Sequence, residues 1–211
     1  DGRRNLCVAY CVSVVKKLSC FVTIKNTECF EETEKRSKFI SYSFPVNSDS
    51  EAMDFLKKIK SKHPDARHHV YGYVINGNFE KYSDDGEPSG TGGLPIINAI
   101  KSMNLSNVLV IVVRYFGGIL LGTNGLRTMY SSGASHVLSL CEKVKMVLCS
   151  RFFIDVDYHN YKKVESVICK NGAKILNTEY FQDVKLECLV KRENFLNLNE
   201  QLTGILKRSN C

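Results

Sequence analysis

The clearest hydrophobic pattern in the chain is the run Val108 to Val113, six apolar residues in a row, four of them valine. A run of this kind predicts a strand that is buried on both faces of a sheet. Two glycine turns follow, at Gly117-Gly118 and from Gly122 to Gly125. Apolar positions then take helical spacing from Leu126 to Cys141, which predicts a helix of about four turns. The chain is therefore organised around a buried strand, a glycine-rich loop and a long helix.

Shorter patterns predict the rest of a first domain around this strand. Apolar stretches predict strands over residues 21–25, 38–46, 66–75 and 79–82. The segment 28–38, between two of these strands, mixes charges of both signs, and we expect it to be a solvated face. Ser48 and Glu51 have the spacing of a capping box, which predicts a helix from there to about Lys62. A short helix is expected from Pro95.

A second domain begins where the pattern changes, near residue 145. Strands are expected over 147–156, 173–180, 184–191 and 204–208, and helices over 158–170 and 193–202. The order βαββαβ is typical of a ferredoxin-like domain. We therefore predict an α+β protein with an extension over residues 1–20, a first domain over 21–145 and a ferredoxin-like domain over 146–211.

The first 20 residues contain an apolar run, Leu6 to Val15, between basic pairs. A helix needs about 20 apolar residues to span a bilayer, so this run is too short for one. We expect an extension outside the main fold and no membrane partner.

Composition is that of an ordinary globular protein, with 44% apolar and 24% charged residues, enough to build a real core. The net charge of +7 is spread along the chain, so charge alone gives little support for nucleic-acid binding. Nine cysteines show neither CxxC pairs nor Cys/His metal spacing. We expect most of them, including Cys141, Cys149, Cys169 and Cys188, to be buried thiols in a reducing compartment, which favours a cytoplasmic location.

The first candidate for chemistry is an acidic, glycine-rich loop that contains Asp84, Asp85 and Glu87. Three carboxylates so close together offer the oxygen ligands that Mg²⁺ prefers. The same residues also suit a solvated turn that caps the next helix. The pattern alone leaves the metal site and the turn as alternatives.

The second candidate is the glycine-rich loop before the long helix. Backbone N–H groups and the positive end of a helix dipole meet in such a loop. An anion or a nucleic-acid backbone is one expectation, and tight turns at a strand–helix junction are the other. The spacing matches neither common nucleotide-binding motif. The candidate residues are Arg114, Gly117, Gly118, Gly122, Thr123, Gly125 and Arg127.

The third candidate is the pair His68 and His69 at the start of a strand. Alternation along a strand points one imidazole to each face, and we expect one of them to face the acidic loop. Either imidazole is a candidate general base, and a structural role is the alternative, since a lone histidine is more often structural. No Ser/His/Asp or Cys/His set follows from spacing alone.

Three stretches resemble the motifs of the IMPACT/YigZ family. Arg114 to Gly122 and Tyr82 to Thr91 look like its two long signature motifs, and His63 to His68 is similar to a third. The acidic loop supplies most of one motif, with Asp84, Asp85, Gly86, Glu87, Pro88, Ser89, Gly90 and Thr91. The resemblance covers about residues 20–145, and residues 146–208 are similar to the second domain of bacterial members in fold pattern only.

The resemblance implies a first domain similar to the second domain of a small-subunit ribosomal protein. It implies a second domain similar to a ferredoxin-like domain of elongation factor G, and a link to translation. Eukaryotic relatives with an added N-terminal domain restrain the amino-acid-starvation kinase. Only about 20 residues precede the first motif domain here, so we expect the two-domain, bacterial-type form.

Three functional hypotheses follow. The leading one is a non-enzymatic protein that binds RNA or a component of the translation machinery, with no cofactor. The second is a metal-assisted enzyme acting on a phosphate-bearing ligand, with Asp84, Asp85 and Glu87 on Mg²⁺ and His68 or His69 as the base. The third is a regulator that acts through a protein partner. The first two require the acidic loop and the glycine-rich loop to meet in space.

Overall fold

The computed structural model describes residues 20–208, which divide into two compact units, Cys20–Met146 and a second that begins at Val147. The extension expected over residues 1–20 lies, apart from Cys20, outside the described residues. Within the described part of the chain, no helix is long and apolar enough to cross a membrane.

The N-terminal unit contains seven strands and three helices. The strands are β1 (Cys20–Ile24), β2 (Glu28–Glu34), β3 (Ser37–Pro45), β4 (His68–Ile75), β5 (Phe79–Ser83), β6 (Val108–Tyr115) and β7 (Lys143–Val147). The helices are α1 (Asp49–Lys62), α2 (Gly93–Ser102) and α3 (Gly122–Leu140).

The central sheet is antiparallel, with the strand order β2-β3-β6-β4-β5, and β1 pairs separately with β7. Helices cover both faces of this sheet. Val110 and Val112 pack with residues of α2 and α3, whereas Leu109 and Ile111 pack with residues of α1. This double cover explains why every residue from Val108 to Val113 is buried, as the apolar run predicts.

Capping fixes α1 as the sequence predicts. The Ser48 hydroxyl accepts a hydrogen bond from the Glu51 backbone N–H at 3.2 Å. The Glu51 carboxylate reaches back one residue further than in a standard capping box and accepts from the Asn47 N–H at 2.7 Å. The helix ends at Lys62.

Two expectations for this unit are wrong. The segment 28–38 is not merely a solvated face between strands, because residues 28–34 form β2, an edge strand whose Phe30 packs on the core while charged side chains face water. The glycines from 122 to 125 are not a turn before the long helix. They lie in the first turn of α3. Of the two glycines, only Gly122 has a positive φ, at 73°.

The C-terminal unit contains the strands β8 (Cys149–Val156), β9 (Lys174–Tyr180) and β10 (Val184–Lys191), with the helices α4 (Tyr161–Lys170) and α5 (Arg192–Arg208). The strand order is β8-β10-β9, and both pairings are antiparallel. The two helices share one core with one face of the sheet. The described order is therefore βαββα.

The short strand expected over residues 204–208 is wrong, because these residues belong to α5. Leu198, Leu202 and Ile205 repeat at helical spacing and all pack on the core of this unit. Gly204 does not adopt a positive φ, so it does not end the helix. The likeness to ribosomal-protein and elongation-factor domains stays a prediction.

Candidate functional site at the loop end of the N-terminal unit

The motif residues gather at one end of the central sheet, which we call the loop end. Here β6 ends at Tyr115, β4 starts at His68, and β2 turns into β3 at residues 35–36. The acidic loop (residues 84–92) and the glycine-rich loop (residues 116–121) both lie at this end. The acidic loop lies against α3, which follows the glycine-rich loop, because the Arg127 Nε donates to the Gly90 carbonyl at 3.4 Å.

A buried ion pair joins the acidic loop to the end of β6. The Arg114 Nη1 donates to the Glu87 Oε1 at 2.6 Å, and the two side chains are only 5% and 4% exposed. The Tyr130 hydroxyl donates to the same oxygen at 2.7 Å. Burial raises the pKa of Tyr130, and the neighbouring Glu87 charge raises it further. Arg114 is therefore occupied inside the protein rather than presented to a phosphate.

The Asp84 carboxylate closes the acidic loop. It accepts hydrogen bonds from the backbone N–H groups of Gly90, Gly92 and Gly93 at 2.9, 2.9 and 2.8 Å. Gly93 is the first residue of α2, so the charge also lies at the positive end of that helix. The turn that caps the next helix is the alternative that this geometry supports.

Asp85 ties the acidic loop to β4. Its Oδ2 accepts from the His69 N–H at 2.7 Å, and its Oδ1 pairs with Lys60 at 3.2 Å. The His68 Nδ1 lies 2.8 Å from the Asp85 carbonyl oxygen, whereas the His69 Nε2 lies 3.0 Å from the His63 carbonyl oxygen. The two imidazoles thus have different partners, and both lie near the acidic loop, with the His68 Nε2 3.9 Å from Glu87 and the His69 Nδ1 3.8 Å from Asp85.

His63 and His69 form a buried pair beside this loop. The His63 ring lies between two phenols, with Nε2 2.8 Å from the Tyr42 hydroxyl and Nδ1 2.9 Å from the Tyr115 hydroxyl. Burial, then the nearby Lys62 and His69, lowers the pKa of His63. Burial also lowers the pKa of His69, although the His63 carbonyl and Asp85 oppose it. Both rings favour the neutral form.

In the described residues, the carboxylates of the acidic loop are not grouped with other possible metal ligands. Within residues 20–208 no three His, Cys, Asp or Glu side chains are grouped as metal ligands. The candidate carboxylates Asp84, Asp85 and Glu87 each accept from different donors, namely loop amides, the His69 amide with Lys60, and Arg114 with Tyr130. Each of the three carboxylates is thus paired with donors of the protein, and binding of Mg²⁺ by this loop stays a prediction.

The glycine-rich loop owes its shape to a close backbone contact. A Cβ at Gly117 would lie 2.1 Å from the carbonyl group of Arg36, so no other residue fits. The Gly117 N–H donates to the Ser37 hydroxyl at 3.1 Å. Gly118 has a positive φ, which glycine adopts without strain. Thr123 is exposed in the first turn of α3, which contains no acidic residue.

The remaining motif residues are structural or exposed. Thr91 is buried, and its hydroxyl donates to the Pro88 carbonyl at 2.6 Å. Gly86 and Gly90 take positive φ in the loop, and Ser89 and Pro88 are exposed. Among the cysteines, Cys141 and Cys188 are buried, but Cys149 and Cys169 are exposed, so burial is wrong for those two. The six described cysteines are free thiols.

Comparison with known proteins identifies the family. The family model of the Impact N-terminal domain matches residues 35–138. A second model, a domain of unknown function (DUF1949), matches residues 154–206. An IMPACT family member of Haemophilus influenzae is 34% identical over 187 residues, with 87% of this chain and 91% of the relative covered. This chain belongs to the IMPACT family.

A second IMPACT relative and a solved structure also match over nearly the whole chain. The family member YvyE of Bacillus subtilis is 32% identical over 190 residues, which cover 89% of this chain and 88% of YvyE. A crystal structure of a hypothetical protein has a TM-score of 0.65 and 27% identity, covering 89% of this chain and 93% of its own. Membership of the family, predicted from the motifs, is confirmed.

The loop end of this IMPACT chain carries basic residues that sequence reasoning missed. Lys35 and Arg36 form the β2–β3 turn, Arg67 precedes β4, and all three are exposed, as is Arg127. The contact of Arg36 with Gly117 and the hydrogen bond from the Arg67 N–H to the Arg114 carbonyl, at 3.2 Å, bring them to the same end. The register of β3, β6 and β4 could have identified these cations, because it places residues 36, 115 and 67 at the same end of the sheet.

Backbone strain is concentrated at the same place. Lys35, Arg36 and Asp85 have positive φ values of 46°, 67° and 41°. The other described residues of this kind are all asparagines, which tolerate this conformation, namely Asn76, Asn104 and Asn107. A positive φ costs lysine and arginine about 1 kcal/mol or more, so the stability of the fold does not explain why they occupy the turn.

An exposed apolar segment completes the loop end. Phe116 and Ile119 are 40% and 43% exposed, and Leu120 is 82% exposed. The Phe116 ring lies under the Arg114 guanidinium, 5.5 Å from its centre, whereas the two aliphatic side chains project from the loop. Neighbouring exposed apolar residues are typical of an interaction site.

Proposed function

We propose that this protein acts in translation and binds RNA through the loop end of its N-terminal unit. The link to translation comes from the family resemblance. The binding role is inferred from the loop end itself, and such a role would place the protein in the cytoplasm, as the cysteine pattern predicts.

The observation that carries the proposal is the difference between internal and external charge at the loop end. The carboxylates of Asp84, Asp85 and Glu87 are all turned inward onto donors. Exposed cations from several segments surround them, namely Lys35, Arg36, Arg67 and Arg127. The acidic loop therefore offers little negative charge to repel a polyanion, and the four exposed cations outnumber the exposed acids beside them, Glu34 and Asp65.

The strained turn at Lys35 and Arg36 adds independent support. Two consecutive positive φ values define a turn that asparagine or glycine would form at lower cost. Strain of this kind is usually retained where a side chain has a function. Long, flexible cations at the tip of a hairpin suit contacts with phosphates, which position a nucleic acid without reading its sequence.

A salt titration of RNA binding tests the proposal. A fluorescently labelled single-stranded RNA would be titrated with the whole chain at several salt concentrations. Each phosphate contact contributes about −0.7 to the slope of log K against log salt on a single strand, so the four exposed cations predict a slope of about −3. Replacing Arg36 and Arg67 together by Ala should reduce its magnitude by about 1.4.

A matched variant controls for net charge. Lys25→Ala with Lys101→Ala removes the same charge, and these lysines pair with Glu142 and Glu80 rather than lying at the loop end. This variant should keep the slope of the wild type. The proposal fails if the wild type binds no RNA below about 10⁻⁴ M at low salt, the weak end of non-specific binding.

A protein of the translation machinery is a second candidate ligand, favoured by the exposed residues Ile119 and Leu120. Replacing Leu120 by Ser would then abolish capture of a stoichiometric protein partner that resists nuclease, and RNA affinity would be unchanged. If nuclease treatment abolishes capture, RNA and not a protein is the ligand of this surface.

A further inference from the structure

Strand β8 of the C-terminal unit is an edge strand. In the described part of the chain it pairs with β10 on one side only. It is eight residues long and regular, with Phe152, Phe153 and Ile154 in its middle. It contains neither proline nor a bulge, two of the devices with which proteins protect an edge from pairing, and its charged residues are Arg151 and Asp155.

Charges alternate across the sheet up to this edge. On the face away from the helices, Glu179, Lys185 and Asp155 lie side by side on β9, β10 and β8. The sequence of charges is minus, plus, minus, and it stops at Asp155 on the open side. Opposite charges on adjacent strands attract, so a cation is the residue that would continue this row.

The same strand carries that cation. Arg151 lies four residues before Asp155 on the same face, beside Leu189 of β10, and it is exposed. If two β8 strands pair antiparallel around a two-fold axis at Phe153, residue 151 of each copy lies opposite residue 155 of the other. Both cross-strand pairs are then Arg–Asp. The edge is self-complementary in this register.

The helix-facing side of β8 matches in the same register. Phe152 of one copy lies opposite Ile154 of the other, so the apolar row that runs through Leu186 and Ile154 would continue into the second copy. The exposed Phe153 rings, 57% exposed in the single chain, meet at the axis.

We propose that the chain forms a two-fold dimer in which the C-terminal units pair through β8. The three strands of each copy join into one six-stranded sheet, β9-β10-β8-β8-β10-β9. Such an interface uses the same residues on both copies, which is the commonest symmetry of soluble oligomers. A dimer would present two loop ends, but the pairing does not depend on the proposed RNA binding.

Sedimentation equilibrium of the whole chain over a range of micromolar concentrations tests this dimer. The expected mass is twice the chain's 23.9 kDa. Asp155→Arg places arginine opposite arginine, and Arg151→Asp places aspartate opposite aspartate, so each single variant should be monomeric. The double variant restores opposite charges across the axis and should recover the dimer.

The double variant distinguishes a loss of dimer contacts from damage to the fold of the single chain. Asp155 lies beside Lys185, and Arg151 bonds Glu187, so the double variant loses both internal contacts and still regains the intermolecular pairs. Glu179→Lys on β9 matches the charge change of Asp155→Arg and should leave the dimer intact. A monomeric wild type at every concentration overturns the proposal, as does a dimer unaffected by all three β8 variants.

Discussion

Each unit of this protein contains an Arg–Glu ion pair, and the two pairs differ mainly in their access to water. Arg114 and Glu87 are 2.6 Å apart with side chains 5% and 4% exposed. Arg151 and Glu187 are 2.5 Å apart with side chains 61% and 17% exposed. At nearly equal distance, the first joins the acidic loop to β6 inside the N-terminal unit, and the second lies on an open sheet face.

The difference follows from how each sheet is covered. β6 lies between helices on both faces, and its apolar run ends in a buried arginine that needs a charge partner. β8 has helices on one face only, so its residues alternate between buried and exposed and its arginine is half in water. An Arg–Glu pair of the same length therefore stabilises a site strongly when it is buried and contributes little to stability when it is exposed to water.

The largest predicted effect breaks the buried pair alone. Arg114→Met keeps much of the side-chain volume but leaves the Glu87 charge buried and uncompensated, and should lower the free energy of unfolding by about 3–5 kcal/mol. Urea unfolding followed by fluorescence measures it. Adding Glu87→Gln removes the orphan charge and keeps an acceptor for Tyr130, so the double variant should recover most of the loss. A single-variant cost below about 1 kcal/mol would contradict this account.

Acid should weaken the N-terminal unit through His63 and His69. Both pKa values are lowered in the fold, so the unfolded chain binds more protons below the ordinary value of 6.5. Stability is therefore complete above pH 6.5 and falls as the pH drops towards the lowered pKa values, by at most about 1.4 kcal/mol per pH unit for each histidine. Unfolding curves between pH 7 and 5 measure this slope. His63→Gln should flatten it, whereas substitution of the exposed His159 should not.

A smaller effect compares the carboxylates that begin helices in the two units. Asp84→Asn removes the charge that faces three loop amides and the start of α2, and should cost about 1–2 kcal/mol. Asp157→Asn, at an exposed turn before α4, should cost about half as much, because water replaces its hydrogen bonds with Asn160. Thermal unfolding ranks the two, and an equal or reversed order would show that burial does not set their value.

The smallest effect is expected for the exposed pair. Arg151→Ala should change the free energy of unfolding of the C-terminal unit by about 0–1 kcal/mol, since the pair is open to water on the Arg151 side. The same urea experiment applies. A loss as large as that of Arg114→Met would remove the distinction between the two pairs.

The sequence predicted those elements whose pattern depends on neighbouring residues alone. The run Val108 to Val113 predicts a doubly covered strand, and the capping residues of α1 place its start, since both depend on local chemistry. β2 was missed because an edge strand with one wet face has no clear apolar pattern. The helical extension past Gly204 was missed because glycine commonly ends helices.

The site was only partly predictable. The motif loops were identified from sequence, but the partners of their charges were not, because the pairing of Glu87 with Arg114 joins segments 27 residues apart through tertiary packing. A sequence shows that Asp84, Asp85 and Glu87 are neighbours, and it does not show that each side chain faces a different donor. The cations at residues 35, 36 and 67 became visible only through strand register.

The most direct test of the loop end as an RNA site is a residue-resolved NMR titration. A ¹⁵N-labelled chain would be titrated with a short single-stranded RNA at low salt, and amide shifts followed in both units. We predict that the shifts cluster at residues 35–36, 67 and 117–127 and disappear at high salt. Saturable binding with shifts confined to the far end of the sheet, near Lys25 and Lys101, or to the C-terminal unit, would contradict the account.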